Sequence, residues 1–136
     1  MDGYWFKSDL FEIEPGEDEE TNPGCYGRQL SHWLKDKFSK LGYEVEEVIP
    51  EDWGWCIMCS REPYALWIGC ISITDDDPEK LPEIENVVWN CFVTAEVPFL
   101  KRLFKKIDTT QGVKKLSGEL ETTLNSEPGI QQVEEP

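Results

Sequence analysis

The chain has 136 residues, 30% of them charged, with 28 acids against 13 bases and a formal net charge of −15. A balance this acidic excludes sites built on clustered Lys and Arg, so direct binding to a nucleic-acid backbone or to an anionic membrane is not expected. With 39% hydrophobic residues, including six Trp, six Phe and four Tyr, the chain has enough apolar surface for one domain with an ordinary core.

The opening MDGYWFKSDLFEIE has neither a basic n-region nor a long apolar run, and no stretch approaches the roughly 18 apolar residues of a membrane span. Five cysteines, mostly inside apolar stretches, read as small hydrophobes in a reduced chain. The expectation is a cytoplasmic protein without metal or cofactor, its oligomeric state left open.

In chain order, residues 4–13 are aromatic and apolar with scattered charge and predict a short strand or an extended segment. The next stretch, PGEDEETNPG, has two prolines, two glycines and four consecutive acids, and predicts a loop. Asn22-Pro23 offers an N-cap followed by proline at the first helical position. A helix is predicted over residues 25–41, where Tyr26, Leu30, Trp33, Leu34, Phe38 and Leu41 share one face at helical spacing. Gly42 stops it, and Lys35, Lys37 and Lys40 suit the negative end of its dipole. Lys37 falls within the apolar stripe, where its stem can lie along the rings while the ammonium reaches water.

Strands are predicted at residues 43–49, 53–60, 64–73 and 86–97, with Arg61-Glu62-Pro63 making the middle two an antiparallel hairpin. The last alternates: Val87, Trp89, Cys91, Val93, Ala95 and Val97 on one side, Asn90, Thr94 and Glu96 on a side expected to be wet. An acidic loop, DDDPEKLPEIE, precedes it. Pro98 opens a helical region with an apolar stripe of Phe99, Leu100, Leu103, Phe104 and Ile107 and a basic one of Lys101, Arg102, Lys105 and Lys106. Val113, Leu116, Leu120 and Leu124 predict a further helix interrupted by Gly112 and Gly118. From Asn125 the tail NSEPGIQQVEEP shows no pattern. The division expected is one domain over residues 1–124 and a disordered acidic tail over 125–136.

Residues 51–73, EDWGWCIMCSREPYALWIGCISI, hold three of the six tryptophans and three of the five cysteines. Strands apolar at almost every position are normally covered on both faces. One face can be the core; the other needs a helix, a second sheet, a partner or a ligand. Cys56 and Cys59 form a C-x-x-C, but inside a strand their side chains diverge, and no second pair completes a zinc site. A redox pair would need a helix N-terminus. Asp75-Asp76-Asp77 lacks the spacing of a calcium loop. His32 is the only histidine and falls opposite the apolar face of its helix. The acids Glu44, Glu46, Glu47, Glu51 and Asp52 cluster before and at the tryptophans. Beside Trp, such carboxylates could recognise a cation or, with a raised pKa, serve as a general acid; on an edge strand they also discourage strand pairing.

Three stretches, NPGCYGRQLSHWL, GYEVEEVIPEDWGWCIMC and LWIGC, resemble a recurring type of small bacterial protein over roughly residues 10 to 73. The resemblance implies no activity, cofactor or site residue.

The fold class expected is α+β: an antiparallel meander of four to five strands, one long helix on a face, and C-terminal helices. The function expected is that of a non-enzymatic interaction protein. It would bind or inhibit a basic macromolecular partner through Glu46, Glu47, Glu51, Asp52, Trp53 and Trp55. One alternative is a small-molecule pocket or enzyme with carboxylates beside Trp53 and Trp55. Another is a nucleic-acid mimic, which needs acids spaced like phosphates. Trp33 and Trp89 are assigned to the core.

Overall fold

The computed structural model describes residues 3–74, 77, 79–104 and 106–136, with the backbone alone at residue 104. Asp75, Asp76 and Lys105 and the side chain of Phe104, which entered the sequence reading, therefore lie outside it.

The fold is α+β, as the sequence predicts, with six strands among the described residues rather than four or five. They are β1 (Tyr4–Ser8), β2 (Ile49–Glu51), β3 (Gly54–Ser60), β4 (Ala65–Ile73), β5 (Val88–Glu96) and β6 (Ile130–Gln132). All pairs are antiparallel and the order is β2-β3-β4-β5-β1-β6. The helices are α1 (Arg28–Lys40), α2 (Phe99–Phe104) and α3 (Thr110–Asn125). No helix among the described residues is long and apolar enough to cross a membrane.

Leu30, Leu34 and Phe38 recur every four residues on α1 and are wholly buried against the sheet. The helix stops where Gly42 predicts. The Gly42 N–H donates to the Ser39 carbonyl and the Tyr43 N–H to the Phe38 carbonyl, closing a Schellman turn with the Tyr43 ring packed on Phe38. Its start differs from the sequence reading. Asn22-Pro23 sit in a turn closed by the Cys25 N–H on the Asn22 carbonyl, and α1 begins three residues later than predicted. The cap comes from farther back: Glu17, buried in the acidic loop, accepts the N–H groups of Gly27 (2.7 Å) and Arg28 (3.1 Å) on one carboxylate oxygen. Its other oxygen accepts the N–H of Glu14 at 2.8 Å. The predicted loop thus supplies the anion that the helix N-terminus needs.

Leu116, Leu120 and Leu124 bring α3 onto the same face of the sheet as α1, and the helix runs unbroken through Gly112 and Gly118. Together they cover Tyr4, Phe6, Trp55, Ile57, Ile68 and Trp89, among other residues of the core. Trp89 is fully buried as expected; Trp33 is only half-buried, at the rim, edge-on to Phe11 and beneath the Lys37 ammonium.

Two other expectations are corrected. Residues 43–48 are not a strand: Tyr43, Val45 and Val48 pack against the core from an irregular segment, and pairing begins only at Ile49. The tail is not patternless either, since Ile130–Gln132 pairs with β1. Ser8 Oγ donates to the Gly129 carbonyl at 2.7 Å, and the Val133 N–H donates to the Trp5 carbonyl at 2.9 Å. Three paired residues are too few to leave a period-two signal.

Candidate functional site

The hairpin between β2 and β3 carries the tryptophans. Glu51 pairs with Gly54, so Asp52 and Trp53 form a two-residue turn outside the ladder. Gly54 has φ of +155°, and a Cβ there would stand 2.2 Å from the Cys70 carbonyl oxygen of the neighbouring strand. The turn is held from outside as well: the Asp52 carbonyl accepts from Asn22 Nδ2 at 3.1 Å and from Cys25 Sγ at 3.7 Å. Because Trp53 leaves the ladder, the alternation that would place it beside Trp55 does not apply. Trp55 enters the core next to Gly27, with the Arg28 guanidinium 5.7 Å from its ring centre. Trp53 turns to the opposite face of the sheet.

That opposite face carries neither α1 nor α3. Trp53 stacks on Trp67 with ring centres 5.5 Å apart and planes 27° off parallel, and Phe92 touches both at 5.8 and 5.9 Å. Phe92 reaches this position by lying across Gly69, where a Cβ would meet its ring at 2.2 Å. Trp5, Cys56 and Met58 are buried yet stand outside the helix-covered cluster. Ile71, Ile73 and Val88 continue the surface, half-buried. Trp53 remains 38% exposed. The wet side expected of β5 is therefore wet only at its end: Asn90 is fully buried, Phe92 and Thr94 are half-buried, and Glu96 alone is exposed.

The charge around these rings is negative. Glu51, Asp52 and Glu96 are exposed. Burial pushes the Cys56 thiol up to about 11, with the charges of Glu51 and Glu96 acting in the same direction and Arg61 opposing them. Burial likewise raises Cys59 to about 12 and lifts Cys70, which also lies 3.6 Å from the Cys91 sulfur. Burial, then the charge of Asp18, raises Cys25. Thiols held neutral in this way are poor nucleophiles and poor metal ligands. Among the described residues no group of three His, Cys, Asp or Glu side chains is placed to hold a metal ion. His32 is exposed on α1.

Of the six candidate residues, the structure brings together Glu51, Asp52 and Trp53. Glu46 pairs with Arg61, and Glu47 reaches Lys35 of α1 at 3.1 Å. Glu46 and Arg61 line an open groove of about 750 Å³ with Tyr43, Glu44 and Lys115, away from the aromatic face. Burial and the Glu119 carboxylate raise the Tyr43 phenol, which donates to Glu119. Of the groove's charged side chains, Glu46 and Arg61 pair with each other, Glu62 with Lys101 and Lys115 with Glu119. Trp67, Phe92 and Glu96 were missed, although a segment apolar at nearly every position already signals a second face in need of cover. Comparison with family models, with curated proteins and with solved structures finds no match for this chain.

Proposed function

We propose that the protein is a non-catalytic interaction protein whose helix-free sheet face binds a basic segment of a partner protein. The observation that carries this reading is the exposed Trp53 stacked on Trp67 and Phe92, an apolar platform edged by Glu51, Asp52 and Glu96. Partly exposed Trp is a favoured interface anchor, aromatic faces attract cations, and peripheral carboxylates speed the encounter with a basic target. An occupant of matching chemistry places an apolar side chain on the rings and Lys or Arg against the acids. The alternative pocket between Trp53 and Trp55 loses support, because the two rings lie on opposite faces of the sheet.

The reading is tested by titrating isotope-labelled protein with amphipathic peptides, one set basic and one acidic but otherwise matched. Indole resonances of Trp53 and Trp67 should move with the basic set alone while those of Trp55 and Trp89 stay still. Replacing Glu51 by Gln and Asp52 by Asn should weaken the effect. Shifts centred on the Tyr43–Lys115 groove, or none at all, would overturn it.

A further inference from the structure

Among the described residues, two apolar surfaces have no cover from the rest of the domain, and they carry opposite charge. One is the aromatic face, with Trp53, Trp67 and Phe92 beside Glu51, Asp52 and Glu96. The other is α2. Its Phe99, Leu100 and Leu103 are 65%, 68% and 59% exposed, the greatest exposure of any large hydrophobic side chains described. Its charged side chains, Lys101 and Arg102, are basic, and Lys106 follows. Lys101 ties the helix to the β3–β4 turn by donating to Glu62 and to the Pro63 carbonyl. Arg102 lies over the Phe99 ring at 5.9 Å. A helix of six residues is far shorter than one that is stable alone, so it needs packing that its own domain leaves unmade at these three side chains.

We infer that α2 of one copy docks on the aromatic face of a second copy, reciprocally, in a two-fold dimer. Leu100 and Leu103 meet the tryptophan rings, while Arg102 and Lys106 meet Glu51, Asp52 and Glu96. A contact between two different patches closes into a ring of two when each copy donates and accepts, which leaves neither patch exposed. The net charge of −15 repels two copies at long range. At physiological salt that repulsion is screened beyond about 8 Å, whereas close pairs at an interface are screened less. The inference shares the aromatic face with the proposed function but does not require a foreign partner; dimerisation would cover the face until a basic segment displaces α2.

Sedimentation velocity from micromolar to near-millimolar protein at physiological salt tests it. A reversible monomer–dimer equilibrium is expected. It should weaken by about tenfold or more in Leu100→Glu/Leu103→Glu and, separately, in Trp53→Ala. The decisive step mixes these two variants. The first keeps an intact face and the second an intact α2, so a heterodimer should form, weaker than the wild-type dimer but tighter than either variant alone. Glu51→Lys/Asp52→Lys serves as a second face variant should Trp53→Ala fail to fold, which circular dichroism shows. A monomer at every concentration overturns the inference. So does a dimer that survives the α2 substitutions, or one that mixing fails to restore. A restored dimer whose face ignores basic peptides would support this inference and remove only the foreign partner.

Discussion

Trp53 and Trp55 stand two residues apart and belong to opposite sides of one sheet. Around Trp55 the sheet is covered by two helices, and apolar side chains fill the space to near-complete exclusion of water. Around Trp53 the strands are almost as apolar, yet neither α1 nor α3 covers them, and the rings lie on one another rather than under a second layer. Apolar composition is shared; cover is not. Such a difference separates surface that stabilises the fold from surface left for something else.

The comparison breaks most readily at its two tryptophans. Trp89→Ala, on the covered face, should lower unfolding free energy by about 3–5 kcal/mol in urea denaturation, the range for an emptied core aromatic. Trp53→Ala should lower it by only about 1 kcal/mol, the worth of a stacked aromatic pair. Equal losses would mean that the second face is as much core as the first. Glu17→Ala should lower stability by about 3 kcal/mol, because three N–H groups lose a charged acceptor. Amide exchange at Gly27 and Arg28 should rise with it, and a loss under about 1 kcal/mol would show water replacing the carboxylate. Ending the chain at Ser126 removes β6, and should lower stability by about 2 kcal/mol through the lost bonds to Ser8 and Trp5.

Asn90 sharpens the contrast in the other direction. It is fully buried on the uncovered face, and neither atom of its amide has a hydrogen-bond partner among the described residues. Asn90→Leu should therefore raise the melting temperature, by the equivalent of about 1 kcal/mol. A fall would mean that the amide is satisfied in solution. The smallest effect is expected of Glu47→Gln, within about 0.5 kcal/mol, since its pair with Lys35 is exposed.

Much of this was legible in the residues. The spacing of Leu30, Leu34 and Phe38 fixes a helix and its buried side, and the apolar stretch from Trp53 to Ile73 announces strands with two faces to cover. What remained hidden depends on parity and distance. Trp53 sits in a turn, so period-two alternation assigns it to the wrong side, and only the pairing of Glu51 with Gly54 corrects this. Glu17 caps a helix ten residues away, beyond the reach of any local capping pattern. Glu46 and Glu47 are neighbours of the tryptophans in sequence, but Arg61 and Lys35 draw them elsewhere. Phe92 lies between Asn90 and Thr94, on the side of β5 expected to be wet, and nothing in its own segment shows that Gly69 on the adjacent strand gives its ring a place to lie.

Both margins of the sheet are short. β2 and β6 have three residues each, and Pro50 at the middle of β2 has no N–H to offer an incoming strand. A guest chain in extended form finds almost no main-chain template on either side, which removes a common route to fibrils and to recognition by strand addition. Main-chain pairing tolerates many sequences, because every residue but proline brings the same N–H and C=O. With that route closed, a partner of the proposed kind would have to be selected by its side chains alone, and single substitutions in it should alter its recognition sharply.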